Sequence, residues 1–327
     1  METGSNGLSS WTELLFSQIC LMEFSRHVAT PRATCASFPV RVQSLRAREL
    51  DVQRSWRGQL AWNGLGKDWR LIDAINGSDD DAMRALGAPP SLLAWRGCDA
   101  VRRAALKRVA IWATMQQVLE SIRESTLLLE EDVALQPSFC DAVRAALNVY
   151  PPSQPDRRSA STPAWDLLFL GHCAENYASI RRCHLVAANA TVAAREDIFV
   201  TRGAFPMCPH ALLVSAAGAA KLHRLLRSWP ESYAASVLAH HHQPCSFSQA
   251  RLSRSKHHPV TAGHDVAMAK MIDARQLTAL LVWPQQALQP WQAEQVAKGR
   301  RSGVSDTLIP RACSPRGAST RLPCVGS

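Results

Sequence analysis

Leu127-Leu128-Leu129-Glu130-Glu131-Asp132-Val133 is where residue types and spacing first point to chemistry. Three leucines run into three carboxylates, and the chain then turns apolar again. A short apolar run reads as a buried strand. Acids at its end stand at the rim of a sheet, where α/β enzymes bind their ligands. In extended chain, positions i and i+2 point the same way, so Glu130 and Asp132 are expected to face one point and Glu131 to face away. Two hard oxygen ligands of this kind suit Mg²⁺ or Mn²⁺, ions usually shared with substrate phosphates. The competing reading is a solvated acidic loop, since clustered acids are ordinary loop material.

Other groups carry weaker signals. His264-Asp265 stands just before a helical pattern, and His172-Cys173 closes an apolar strand, where packing and site roles are equally open. His240-His241-His242 with Cys245, His257 and His258 offers soft-metal donors. The spacing matches no zinc pattern, and a solvated loop is the simpler reading. Ala216-Ala217-Gly218-Ala219 is small enough to let a phosphate approach a helix start, but close helix–strand packing is favoured. The ten cysteines are scattered with no C-x-x-C pair, so a zinc ribbon is unsupported, and their even number permits disulfides. Asn76-Gly77-Ser78 and Asn189-Ala190-Thr191 fit the N-glycosylation pattern, which matters only in a secreted chain.

Bulk properties bound the protein that must position these groups. Its 327 residues suffice for one large or two ordinary domains. With 46% hydrophobic and 20% charged residues, it has a globular balance. No apolar run reaches the roughly 18 residues of a membrane-spanning helix. Trp11–Phe24 is too short, contains Glu13 and Glu23, and lacks the basic flank of a signal peptide. The net charge of +10 gathers in two places. Residues 25–58 carry seven Arg against Glu49 and Asp51, and residues 298–327 carry Lys298 and five Arg against Asp306. With no nucleic-acid motif and no interleaved aromatics, these read as solvated basic segments rather than a nucleic-acid footprint. Basic groups near the sheet would also suit a diphosphate-bearing substrate.

The elements follow from periodicity. Residues 1–36 read as a poorly defined extension, 37–290 as the functional domain and 291–327 as a loose basic tail. A first strand is expected at Phe38–Val42 and a helix over 49–65. A second strand is expected at Trp69–Ile75, turned by Asn76-Gly77. Residues 99–124 form the strongest helical pattern, with Val101, Ala105, Val109, Trp112, Met115 and Leu119 at helical spacing. It leads into a strand at 126–129, the rhythm of an α/β sheet. A helix over 137–148, strands at 165–170 and 211–215, and helices to about Arg227 and over 266–274 follow. A last strand is expected at 277–283. The stretches 174–210 and 239–263 read as irregular.

Taken in order, these features resemble glycosyltransferase family 25, which includes lipopolysaccharide and collagen galactosyltransferases, and they are most similar to its fungal members. LLLEEDV stands where the family carries a run of the type L-I-L-E-D-D-V. Trp69–Ser78, Gly97-Cys98, Trp165–Cys173, Cys208 with His210–Leu222, and Asp265 with Pro284–Gln289 are similar to further family motifs, and Ser305-Asp306 to its ending. The likeness spans roughly residues 38–307. It implies a GT-A type fold, a Rossmann-like mixed sheet flanked by helices. It implies inverting transfer of a sugar, usually galactose, from a UDP-sugar to a glycan or protein acceptor, with Mn²⁺ or Mg²⁺ as cofactor. Carried over by position, Glu130 and Asp132 hold the metal, Arg48 and Asp132 contact the donor, and Asp265 is the base, with His264 beside it as a second candidate. The family also implies the secretory pathway. Departures from the pattern stand at Glu131, where Asp is usual, at Val101-Arg102 in place of Ser-His, at Leu213 in place of Tyr, and around Arg46–Asp51. They support a second reading, a non-catalytic relative that binds a sugar or a partner protein.

Overall fold

Among the described residues, ten short strands and seven helices build a mixed α/β architecture, and the sheet is legible first in its burial. In β3 (Thr126–Glu130), β5 (Leu167–Gly171), β8 (Ala211–Val214) and β9 (Ala279–Trp283), every residue except Glu130 is buried. Strands covered on both faces read as continuous apolar runs rather than alternating ones. The computed structural model describes residues 39–44, 60, 65, 69–136, 138–150, 165–172, 183–187, 197–240, 263–283 and 285–289. The expected N-terminal extension, most of the 49–65 helix, the basic tail and Arg48 lie outside these residues.

The main sheet has eight strands in the order β2-β1-β3-β8-β5-β9-β7-β6, where β1 is Val40–Ser44, β2 Trp69–Asp73, β6 Cys183–Ala187 and β7 Ile198–Arg202. β1 pairs in parallel with β2 and β3, and β5 pairs in parallel with β9. β8 is inserted antiparallel between β3 and β5, so both of those run the same way. The carboxyl ends of β1, β3, β5 and β9 therefore share one edge, joined there by the start of β8. The chain leaving β1 goes to β2 on one side, and the chain leaving β3 goes to β5 on the other. The ends of β1 and β3 thus flank a topological switch point, the place where open α/β sheets leave a ligand crevice. A two-stranded antiparallel sheet, β4 (Ala134–Leu135) with β10 (Ala287–Leu288), lies beyond that edge.

Helices cover both faces. On one, α4 (Phe139–Val149) packs Phe139, Ala142, Val143 and Ala146 against Val42, Leu127, Leu129, Leu168 and Leu213. On the other, α3 (Asp99–Ser121), α5 (Ala216–Leu226) and α7 (His264–Asp273) pack Met115, Leu119, Leu222, Met268 and Ile272 against Leu128, Phe169, Leu212 and Leu281. Each large side chain so buried stabilises the fold by roughly 1.5–3 kcal/mol. A third cluster joins α1 (Asp80–Ala85), α2 (Pro90–Leu93) and the first half of α3 to α6 (Trp229–His240).

Several expectations needed correction. The stretch 174–210 contains β6 and β7 rather than only irregular chain, and α6 reaches His240 at the start of the supposed histidine-rich loop. His264 and Asp265 do not precede the last helix but form its first turn, with Gly263 as N-cap.

Candidate functional site

The acidic stretch sits at the switch-point edge. β3 ends at Glu130, and residues 131–132 form a turn. The extended spacing that paired Glu130 with Asp132 therefore does not govern their geometry. Glu130 shares its pleat face with Leu128, the face that α7 covers. Its backbone N–H donates to the His210 carbonyl at 3.0 Å, which continues the β3–β8 ladder by one bond. Glu130 is half-buried, whereas Asp132 is exposed. The Glu130 carboxyl is pushed up from 4.5 to about 7. Burial is the largest cause, followed by the negative charge of Asp132; Asp265 and Glu131 add to it, and the hydrogen bond from Gln289 Nε2 to Glu130 Oε2, 3.1 Å long, opposes it. Asp132 and Asp265, named from separate sequence motifs, thus both act electrostatically on Glu130.

A short strap, Gln285–Gln289, crosses this edge. Gln286 N–H donates to the Leu170 carbonyl at 2.8 Å, and the Gln286 carbonyl accepts from Gln136 N–H at 2.8 Å. Ser138 Oγ donates to Gln286 Oε1 at 2.8 Å, and His172 N–H donates to Gln285 Oε1 at 3.2 Å. His210 Nε2 lies 3.1 Å from the Ala287 carbonyl. Gly171 leaves room for that contact, because a Cβ there would stand 2.5 Å from His210 Nε2 and 2.6 Å from the Ala287 oxygen. The His172 ring stands edge-on to Trp283, with centroids 5.1 Å apart. Burial, with the charge of His210, lowers His172 to about 3, and burial lowers His210 to about 4. Both rings are neutral packing pieces at ordinary pH. Sequence reasoning named Gln289 only as the end of a motif and assigned no role to Gln285, Gln286 or His210. Their contacts span up to 159 residues of sequence, between Glu130 and Gln289, beyond any local pattern.

Asp265 and His264 lie in the first turn of α7, where the helix dipole favours negative charge. Oδ1 of Asp265 and Nδ1 of His264 are buried and accept or donate no hydrogen bond. The His264 ring stands edge-on to Trp229 at 6.3 Å. Burial lowers His264, the Asp265 charge opposes that, and Arg108 of α3 adds to it.

Several recognised motifs prove to be scaffold. A Cβ at Gly77 would stand 2.5 Å from Lys107 Cα, so this glycine lets the β2 turn rest on α3. A Cβ at Gly218 would collide with the Asp166 carbonyl oxygen, so the small stretch 216–219 serves close packing, and Ser215 Oγ caps α5 by accepting from Gly218 N–H at 2.9 Å. Asp166 is buried and accepts from Lys221 Nζ at 2.8 and 3.0 Å and from Thr278 N–H at 2.9 Å. Cys98, Cys140, Cys183 and Cys208 are each disulfide-bonded. Cys208 adopts a left-handed φ of 52° and its carbonyl accepts from His210 N–H at 2.9 Å, so a covalent tether stands two residues before the carbonyl that Glu130 binds. Cys173, Cys245, His241, His242, His257, His258 and Trp291 lie outside the described residues.

Among the described residues, no three His, Cys, Asp or Glu side chains gather as a self-sufficient metal site. Mg²⁺ and Mn²⁺ do not require one, because one or two carboxylates suffice when waters and substrate phosphates complete the shell. Glu130 and Asp132 fit that pattern: their mutual repulsion is what a cation would relieve. No helix among the described residues is long and apolar enough to cross a membrane. No protein-family model matches this chain, and no curated protein matches it.

Proposed function

We propose that this chain is a metal-dependent inverting glycosyltransferase of GT-A type that moves a sugar, by resemblance galactose, from a UDP-sugar to a glycan or protein acceptor. The observation that carries this reading is the meeting of Glu130, Asp132 and Asp265. They come from two distant segments, yet both aspartates act on Glu130 at the switch-point edge of the sheet. The antiparallel strand β8, set between β3 and β5, which run in the same direction, supports the fold assignment.

The chemistry follows from charge. When bound, a divalent cation supplies the positive charge that a departing nucleotide diphosphate needs. Glu130 and Asp132 would hold it, with Gln289 fixing the Glu130 carboxylate. Asp265 would take the proton from the attacking acceptor hydroxyl. The new C–O bond then forms on the face of the sugar opposite the bond to the diphosphate, which breaks with its electron pair leaving on the phosphate oxygen. The strap and the two neutral histidines keep this edge packed and hold Glu130 in register.

One observation favours the alternative, a non-catalytic sugar- or protein-binding relative. Where the family carries Ser-His, Val101 is buried and Arg102 is tied to Asp80 at 3.2 Å and to Asp99 at 3.6 Å. These side chains face scaffold rather than ligand. The two readings separate on incubation of the purified protein with UDP-galactose and Mn²⁺. The enzyme reading expects Mn²⁺-dependent release of UDP that is lost in Asp132→Ala and Asp265→Asn. Mn²⁺-independent binding of a sugar with no turnover would favour the alternative.

A further inference from the structure

Gly263, the N-cap of α7, has φ −73° and ψ −174°, angles open to any residue. Backbone conformation therefore does not call for a glycine here. The space of the missing side chain does. A Cβ at 263 would collide with Nη1 of Arg108 and stand 2.7 Å from Oδ1 of Asp265. The guanidinium from α3 and the carboxylate from α7 thus face each other across a bare Cα. Asp265 Oδ1 is buried and accepts no hydrogen bond, a costly state for a carboxylate oxygen. The Arg108 guanidinium stands on the other side of the vacant Cβ position and forms no ion pair with Asp265 in this structure, but a short movement of its flexible end would bring the two into contact. The Arg108 charge also acts on His264 and on Tyr233 of α6, so the side chain lies where α3, α6 and α7 come together.

We propose that Arg108 is a positioning residue for Asp265, reaching it over Gly263 and aiming its carboxylate at the acidic edge. The catalytic part of this inference rests on the reading of Asp265 as the base; the pairing does not. A planar guanidinium fork fixes a carboxylate more firmly than the point charge of a lysine. Misplacing a reacting group by about 1 Å can cost on the order of 100-fold in rate. Gly263→Ala keeps both charged groups, but its methyl would press on the end of Arg108 and on Asp265 Oδ1 alike, so substitutions of Arg108 itself are the informative perturbation.

The pairing is tested without turnover. In a ¹⁵N-edited spectrum of the full chain, the Arg108 Nε–H resonance, assigned by its loss in Arg108→Lys, is expected to shift in Asp265→Asn. A resonance unmoved in that variant overturns the pairing. The role is tested by UDP release from UDP-galactose with Mn²⁺. Arg108→Ala and Arg108→Gln are expected to lower kcat about tenfold or more with the UDP-galactose KM held within about twofold, and Arg108→Lys to recover part of the loss. An unchanged melting temperature confirms the fold, and Arg108→Gln carries the test if Arg108→Ala does not fold. Native kcat in Arg108→Ala and Arg108→Gln beside an inactive Asp265→Asn overturns the positioning role and leaves the base assignment standing. Native kcat in Asp265→Asn overturns the base assignment and the positioning role together.

Discussion

Replacing Glu130 with glutamine should stabilise the fold at alkaline pH while removing a ligand. Glu130 titrates at about 7 in the folded protein against 4.5 ordinarily, chiefly through burial and the charge of Asp132. Below pH 4.5 the group is protonated in both folded and unfolded chains. Between 4.5 and 7 the unfolded chain releases a proton that the folded chain keeps, so stability falls as pH rises through that window and levels off above it. At about 1.4 kcal/mol per pH unit, the loss is at most roughly 3.5 kcal/mol, and partial exposure of the carboxylate brings it nearer 1–2. Glutamine is neutral throughout and its Oε1 can still accept from Gln289. Urea unfolding of Glu130→Gln, followed by tryptophan fluorescence with the disulfides intact, should match the native protein near pH 4.5. It should exceed it by about 1–2 kcal/mol at pH 8. Mn²⁺ should stabilise the native protein at pH 8, by roughly 2.7 kcal/mol at a hundred times Kd, and have little effect on the variant. A variant no more stable than the native protein at pH 8 would refute the burial argument for Glu130.

Three further outcomes follow from the scaffold. Lys221→Ala leaves the buried Asp166 without its cation but with the Thr278 N–H bond, and should cost about 1–3 kcal/mol in urea unfolding; a loss below about 0.5 would show the pair to be idle. Gly171→Ala pushes a methyl against His210 Nε2 and the Ala287 carbonyl. It should cost about 1–3 kcal/mol and weaken Mn²⁺-dependent UDP binding by calorimetry, and binding at native affinity would detach the strap from the site. Reduction with dithiothreitol should lower the melting temperature markedly, since native disulfides typically contribute about 2–4 kcal/mol each; an unchanged melting temperature would mean that the disulfides of Cys98, Cys140, Cys183 and Cys208 carry no stability.

The central strands were legible because they are buried on both faces. Leu127–Leu129, Leu167–Leu170, Ala211–Val214 and Leu280–Val282 stand out as apolar runs for that reason. β6 was not, since His184, Leu185 and Val186 on the outermost strand are only half-buried and sit within a polar stretch. Two-residue strands such as β4 and β10 are too short to show a period at all. Of the site, Glu130, Asp132 and Asp265 could be named from order along the chain, and the fold brings their charges together. The reason given for pairing Glu130 with Asp132 did not survive, because the strand ends one residue too early. Arg108, His210, Gln285 and Gln286 were invisible, since each acts on a group far away in sequence. Gly218 packs a helix closely against a strand, as the small residues at 216–219 suggested, and Gly77, Asp166 and Lys221, which lie in family-like motifs, likewise hold helices against the sheet.

The central claim is that the edge bearing Glu130, Asp132 and Asp265 binds a nucleotide sugar through a divalent cation and turns it over. It is tested most directly by following UDP release from UDP-galactose by the purified chain, with and without Mn²⁺, beside Asp132→Ala and Asp265→Asn. The account predicts release that requires Mn²⁺ and disappears in both variants. Absence of release together with absence of Mn²⁺-dependent UDP binding, or turnover that both variants retain, would contradict it.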